Sequence, residues 1–363
     1  MRDGAPLRVV IAGGGTGGHL YPGIAVAREL LSRHPQATIS FAGTVHGIEA
    51  RVVPHEGFVL DVIRSSGLKG KSLGDRMRGA ARLPLGLLDA WRLVSVRRPD
   101  LVIGVGGYSS GPVVLTAALR GIPTMLLEQN AVPGLTNRLL ARHVRAAAVT
   151  FESTRAFFGP KAFVSGNPVR AEFFAARQAA PAGQRTRILV FGGSQGAHAI
   201  NVAMADAAAH LASAGPQLAL THQTGERDLE LVRAAYRAAG LSADVQPFFY
   251  DMGRQLSEAD VVVCRAGATT LAEIAAAGKA AILIPLPTAT DDHQRKNAEA
   301  LVARGAASLL LQVDLTGATL AARILALAAD QPGRERIATA ACGLARPDSA
   351  RLIVDRALAL TGR

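Results

Sequence analysis

The chain has 363 residues, a formal charge of +12 at pH 7, two cysteines and 4% aromatic residues. That length suits two domains, and cysteines as far apart as Cys264 and Cys342 imply neither a disulfide framework nor a zinc site, so a reducing compartment is expected. The positive charge favours anionic partners, while so few aromatics argue against a single-strand nucleic-acid binder.

The opening MRDGAPLRVVIAGGG reads as a first strand and turn, not as a secretory leader, and no run of 18 apolar residues follows. Strands are expected at 7–12, 38–42, 101–105, 124–127, 146–149, 188–191, 218–221, 245–247, 261–264 and 281–284. Helical runs separate them, among them 23–33, 111–119, 197–214, 229–239 and 269–277. This alternation predicts an α/β protein with parallel sheets wound on both faces. The rhythm breaks over 164–182, with Pro168, Pro181 and Gly183, and then restarts with RILVFGG. Tandem Rossmann-like domains facing a cleft are therefore expected, over 1–166 and 167–345. A last helix in 346–363 carries Leu352, Ile353, Ala357, Leu358 and Leu360 on a face and is expected to pack back on the first domain.

The first glycine loop, AGGGTGGHLYPG, holds G-x-G-x-x-G at Gly13, Gly15 and Gly18. A dinucleotide site needs an acid closing the second strand. That strand ends SFAGT, and the next acid is Glu49. No Lys-Ser/Thr pair makes it a Walker loop either. What is left is a backbone clamp for a phosphate or a plain strand-to-helix turn. His19, at the end of the loop, reads either as a general base or as a capping and packing residue. GGSQGA repeats the pattern, and Ser194 there can donate to a phosphate. In CRAGATTLAE, Glu273 lies a little way into a helix, either as an acceptor for ribose hydroxyls or as an acid favoured by the helix dipole. TATDDHQRKNA offers Asp291, Asp292, His293, Gln294 and Asn297. It reads as a solvated, sugar-binding loop without a metal. Glu128, Gln129 and Asn130 follow a strand, where parallel sheets bind ligands, and GVGGYSSGP opens on the same edge. Residues 64–98 carry nine Arg and Lys against two Asp.

GGGTGGHLYPG, GVGGYSSGP, EQNAVPG, GNPVR, FGGSQGA, CRAGATTLAE and DDHQRKNA, in this order and spacing, resemble the MurG family of bacterial peptidoglycan glycosyltransferases over nearly the whole chain. The resemblance implies the GT-B fold and an inverting, metal-independent transfer with no cofactor. N-acetylglucosamine would pass from UDP-N-acetylglucosamine to the 4-hydroxyl of lipid I, giving lipid II and UDP. It carries over the donor contacts Arg170 and Ser194 near the diphosphate, Ala268, Thr269, Thr270, Leu271 and Ala272 by backbone, Glu273 on the ribose and Phe249 by its backbone on the uracil. Some family members have a different apolar residue at the Phe249 position. Gln294 and Asn130 would hold the N-acetylglucosamine. Thr16, Gly17 and Gly18 would approach from the first domain. For the base, His19 comes first and Glu128 second. The implied partners are lipid I, the anionic cytoplasmic face of the inner membrane as a peripheral protein, and cell-wall and division proteins, with no nucleic acid. The basic, apolar stretch 69–98 would make the membrane contact, or else be a solvated helix with one buried face. Two competing readings remain. One is a same-fold glycolipid glycosyltransferase or sugar-nucleotide epimerase, disfavoured by GTGGHLYPG and EQNAVPG. The other is a nucleic-acid binder, suggested by charge alone.

Overall fold

The structure is a computed structural model that describes residues 6–65, 73–175, 185–193, 195–213 and 218–362, the side chains of 73–83 excepted. It comprises two compact units, Met1–Val169 with Arg346–Arg363, and Arg170–Ala345.

The first unit contains β1 (Arg8–Gly13), α1 (Gly17–Arg33), β2 (Thr38–Gly43), α2 (Glu49–His55), β3 (Val59–Val62), α3 (Leu73–Arg97), β4 (Leu101–Gly106), α4 (Ser110–Leu119), β5 (Thr124–Glu128), α5 (Leu135–Leu140), β6 (Ala146–Val149), α6 (Glu152–Phe158) and β7 (Ala162–Val164). Its strands form one parallel sheet in the order β3-β2-β1-β4-β5-β6-β7. Alternate residues of each strand face opposite sides. Val9, Ile11, Leu101, Ile103, Met125 and Leu127 enter a core with α1. Val10, Val102 and Leu126 enter another with α3 and α4. A strand buried on both faces has no polar register to display, which is why these segments are nearly continuous apolar runs.

The second unit contains α7 (Ala171–Ala175), β8 (Thr186–Phe191), α8 (His198–Ser213), β9 (Leu218–Gln223), α9 (Leu229–Ala238), β10 (Ala243–Gln246), α10 (Met252–Glu258), β11 (Val261–Cys264), α11 (Ala268–Ala277), β12 (Ala280–Leu283), α12 (His293–Val302), β13 (Ser308–Leu309), α13 (Gly317–Ala329) and α14 (Gln331–Leu344). The sheet order β10-β9-β8-β11-β12-β13 repeats the first six positions of the other sheet. The final helix, α15 (Ser349–Thr361), places Ile353, Val354 and Ala357 in the α1 core of the first unit, and Asp355 pairs with Arg33.

Three strands escape the sequence reading. The edge strand β3 is partly exposed and interrupted by Asp61, β7 has three residues and β13 only two. Helix α1 begins six residues earlier than expected. Thr16 is its extended N-cap, and the His19 and Leu20 N–H groups both donate to the Thr16 carbonyl. His19 therefore stands in the first turn of a helix, not in a loop. Pro22 lies inside that helix, where its missing N–H removes one backbone bond.

A buried polar chain stiffens the second unit. Tyr236 Oη lies 2.9 Å from His222 Nδ1, and His222 Nε2 lies 3.0 Å from Asn201 Oδ1. Asn201 Nδ2 donates to Thr224 O and Asp228 Oδ2, and Asp228 also meets His198 Nδ1. Asn201 Oδ1 only accepts, so His222 carries its hydrogen on Nε2 and accepts from the tyrosine. Burial pushes the His222 pKa down to about 3 from the ordinary 6.5. The unfolded chain thus binds one more proton between those values. The contribution is complete above pH 6.5 and is lost as pH falls towards 3. The unfolding free energy is expected to fall by about 1.4 kcal/mol per pH unit from this residue alone. Denaturant titrations of wild type and His222→Gln across that window check this, and equal slopes would disprove it.

Candidate active site

In the first unit, β1 and β4 are neighbours whose following helices cover opposite faces of the sheet. The helices beyond them diverge to opposite faces, and such a point is where open parallel sheets bind ligands. The glycines there have a packing task. A Cβ on Gly13 would strike the Gly106 carbonyl, and one on Gly107 would strike Gly14 O, so two backbones cross where side chains do not fit. The Gly15 N–H, the most clamp-like donor of the loop, gives its hydrogen bond to Glu49 Oε2 at 2.7 Å. Glu49 is 1% exposed, and its other oxygen accepts from the Thr44 N–H and hydroxyl at 2.9 Å. The acid missing from the end of β2 in sequence therefore arrives from the start of α2. It closes the loop from within, as an internal anion on the backbone donor. Thr16, Gly17 and Gly18 lie beyond it, as the cap and first turn of α1.

His19 leans on Gly106, where an added Cβ would lie 2.9 Å from Nδ1. Its Nδ1 is 3.2 Å from Gln129 Oε1. Gln129 is 2% exposed, and its Nε2 donates to Val105 O at 3.1 Å. Glu128, at the end of β5, is also 2% exposed. Its Oε1 accepts from the Asn130 N–H at 3.0 Å and Asn130 Nδ2 at 3.3 Å. Its Oε2 accepts from the Gly134 N–H at 2.9 Å and Asn137 Nδ2 at 2.8 Å. Both oxygens thus hold the loop that carries Asn130. Ser109 and Ser110 are buried, while Tyr108 of the same turn is exposed.

In the second unit the corresponding edge follows β8, β11 and β12. Gln195 and Gly196 pack on 224–225 backbone against backbone, since a Cβ on Gly196 would strike Thr224 O and one on Gly225 would strike Gln195 O. Ser194 lies outside the described residues. Gln223, 1% exposed, ties this loop to the next: Nε2 donates to Gly193 O at 2.9 Å, and Oε1 accepts from the Phe249 N–H at 2.8 Å. What the Phe249 backbone retains for a ligand is its carbonyl.

Helix α11 starts at Ala268 after an extended Gly267, and residues 268–272 form its first turns. Glu273 follows in the second turn. Burial pushes its carboxyl up to about 7, while Arg170 pulls it down and Glu172 pushes it further up. Arg170 pairs with Glu172 at 3.2 Å and lies over the Phe173 ring. Gln294, one residue into α12, accepts at Oε1 from the Leu286 N–H at 3.0 Å and the Ala266 N–H at 3.3 Å. Its Nε2 is the end of the side chain suited to donate to a sugar oxygen. Arg265 donates to the carbonyls of Ile284 and Pro285, joining the ends of β11 and β12. Asp291 and Asp292 both adopt the left-handed region, at φ 54° and 55°, just before α12. Burial raises the Cys264 thiol pKa, so this residue is a plain core side chain.

The structure thus gathers Thr16, Gly17, Gly18, His19, Glu128 and Asn130 at one edge of the first unit. It gathers Phe249, residues 268–273, Gln294 and Arg170 in the second. Sequence reasoning gave no role to Glu49, Asn137 or Gln223, and placed Gln129 only among the residues that follow a strand. The available signal was a polar residue at the very end of an apolar parallel strand, as in MLLEQ and LALTHQ.

Comparison with known proteins identifies the family of the chain. Residues 9–149 match the glycosyltransferase family 28 N-terminal domain, and residues 187–353 match the glycosyltransferase family 28 C-terminal domain. A UDP-N-acetylglucosamine–N-acetylmuramyl-(pentapeptide) pyrophosphoryl-undecaprenol N-acetylglucosamine transferase from Pelobacter propionicus is 48% identical, over 98% of this chain and all of that relative. One from Anaeromyxobacter sp. strain K is also 48% identical, over 98% of this chain and 94% of its own. The crystal structure of Acinetobacter baumannii MurG superposes with a TM-score of 0.80 at 32% identity, covering 98% of this chain and all of that one. With two Rossmann-like parallel-sheet units of the GT-B fold, the chain belongs to the UDP-N-acetylglucosamine–N-acetylmuramyl-(pentapeptide) pyrophosphoryl-undecaprenol N-acetylglucosamine transferase family, the MurG family.

Proposed function

We propose that the protein transfers N-acetylglucosamine from UDP-N-acetylglucosamine to the 4-hydroxyl of lipid I, forming lipid II and UDP in peptidoglycan synthesis. The observation that carries this is 48% identity over 98% of the chain to a transferase of that name. The donor is assigned to the second unit. There Glu273 accepts the ribose hydroxyls, the Phe249 carbonyl meets the uracil, and Gln294 Nε2 binds the amino sugar. Arg170, Ser194 and the N–H groups at the start of α11 stabilise charge on the diphosphate as it leaves, since a helix N-terminus and a guanidinium both favour an anion.

The acceptor is assigned to the first unit. As the acceptor oxygen bonds to the anomeric carbon and the bond to UDP breaks, the hydroxyl proton passes to His19. Attack opposite the leaving group inverts the α-linked donor to a β-linked product. Glu128, occupied by the 130–137 loop, serves by holding Asn130 in place rather than as the base. The test supplies purified protein with labelled UDP-N-acetylglucosamine and lipid I. Label in the lipid fraction is expected, and its absence beside an active control overturns the reading.

The protein works at an anionic membrane surface in this reading. Among the described residues no helix is long and apolar enough to cross a membrane. Helix α3 instead exposes Leu85, Leu88 and Trp91 within the basic stretch, the pattern of a helix lying in an interface. Lys69 and Lys71 lie outside the described residues. Replacing Arg76, Arg78 and Arg82 with Glu is expected to abolish flotation with anionic vesicles while UDP binding persists. Unchanged flotation would sink the membrane role.

A further inference from the structure

We propose that Gln129 is a positioning residue for the transfer: its amide locks the neutral His19 ring with hydrogen on Nδ1 and the lone pair on Nε2. This rests on His19 being the base. The assignment follows from three contacts in series. The Val105 carbonyl only accepts, so the Gln129 group 3.1 Å from it is the NH2. The amide oxygen therefore faces His19 Nδ1 at 3.2 Å. An amide oxygen also only accepts, so Nδ1–H donates to it. A neutral imidazole has one N–H, and the nitrogen able to take a proton is then Nε2.

The lock is rigid at both ends. Gln129 is 2% exposed and anchored to the backbone of β4, so its orientation is set by the sheet. The ring rests against Gly106, at φ 93°, where any Cβ would press on Nδ1 and Cε1. A neutral partner also has a chemical consequence. It selects the tautomer without placing a charge against the ring, so the protonated ring is not trapped as an ion pair after the transfer. A free histidine side chain prefers hydrogen on Nε2, the form in which that nitrogen has no lone pair to offer. Without Gln129 the ring would revert towards it.

The test reads the tautomer directly. Long-range 1H–15N spectra of the 15N-labelled full chain, with His19→Gln identifying the ring signals, are expected to show protonated Nδ1 and unprotonated Nε2. In Gln129→Leu the ring is expected to shift towards Nε2–H, with kcat falling about ten- to a hundredfold and UDP binding unchanged. Gln129→Glu keeps an acceptor on Nδ1 and is expected to restore the Nδ1–H tautomer, with kcat recovering only in part because its charge holds the protonated ring. A wild-type ring with its hydrogen on Nε2 overturns the proposal outright, without any variant having to fold. So does a Gln129→Leu ring that keeps Nδ1–H together with full kcat. Full kcat in His19→Gln would instead remove the base reading, while the tautomer seen in the spectra still reports the lock.

Discussion

Replacing His19 with alanine is expected to lower kcat by about 10²- to 10⁴-fold, the range for loss of a positioned general base. The KM for UDP-N-acetylglucosamine is expected to change little, since the donor contacts are assigned to the second unit. A group used only in the transition state lowers kcat and kcat/KM together. The side chain is half-buried in the first turn of α1 and fills no part of the hydrophobic core. Its loss should therefore leave the melting temperature near that of wild type. Added imidazole is expected to restore part of the rate by supplying the missing base. Steady-state kinetics with a lipid I analogue decide the matter, and a kcat within threefold of wild type would exclude His19 as the base.

Replacing Glu273 with glutamine is expected to raise the KM for the donor about ten- to a hundredfold and to move kcat less. Hydrogen bonds to a charged group are worth about 1.5–3 kcal/mol each, and the amide retains one uncharged acceptor. The pH dependence separates this from a simple loss of shape. With the carboxyl at about 7, only part of the ligand-free protein carries the charged form at neutral pH. The donor KM is therefore expected to fall as pH rises through 7 in wild type and to be flat in Glu273→Gln. Stability moves in the opposite sense. The folded-state pKa lies above the ordinary 4.5, so the fold loses stability from Glu273 as pH rises from 4.5 to 7. Above that window the ligand-free variant should melt higher than wild type. A burial cost recovered only when the ribose binds accounts for both results. The same KM–pH slope in both proteins would refute the ribose assignment.

The doubly wound fold was readable because its strands are buried on both faces. Such strands must be short apolar runs, and ten of them stand out between Ala-rich helices. The strands that were overlooked lie where that rule lapses, in the part-exposed β3 and the two- and three-residue β13 and β7. The candidate residues were readable for a related reason: ligand-facing groups follow the ends of strands, and a strand end is a local signal. The chain order alone therefore established the parallel α/β class and the restart after the 164–182 break, and singled out His19, Glu273 and Gln294 as candidates.

The partners of those residues depended on the fold. Glu49 is 34 positions from Gly15, Gln129 is 110 from His19, and Gln223 is 26 from Phe249. No periodicity links such pairs, because parallel strands adjacent in the sheet are joined by long crossovers. Tertiary packing placed the Glu49 carboxylate on the Gly15 N–H, where the order of residues left a phosphate clamp and a plain turn both open. It set Glu128 to holding a loop and His19 against an amide. A hydrogen bond between side chains is decided by where the sheet brings their strand ends, and only the assembled sheet specifies that.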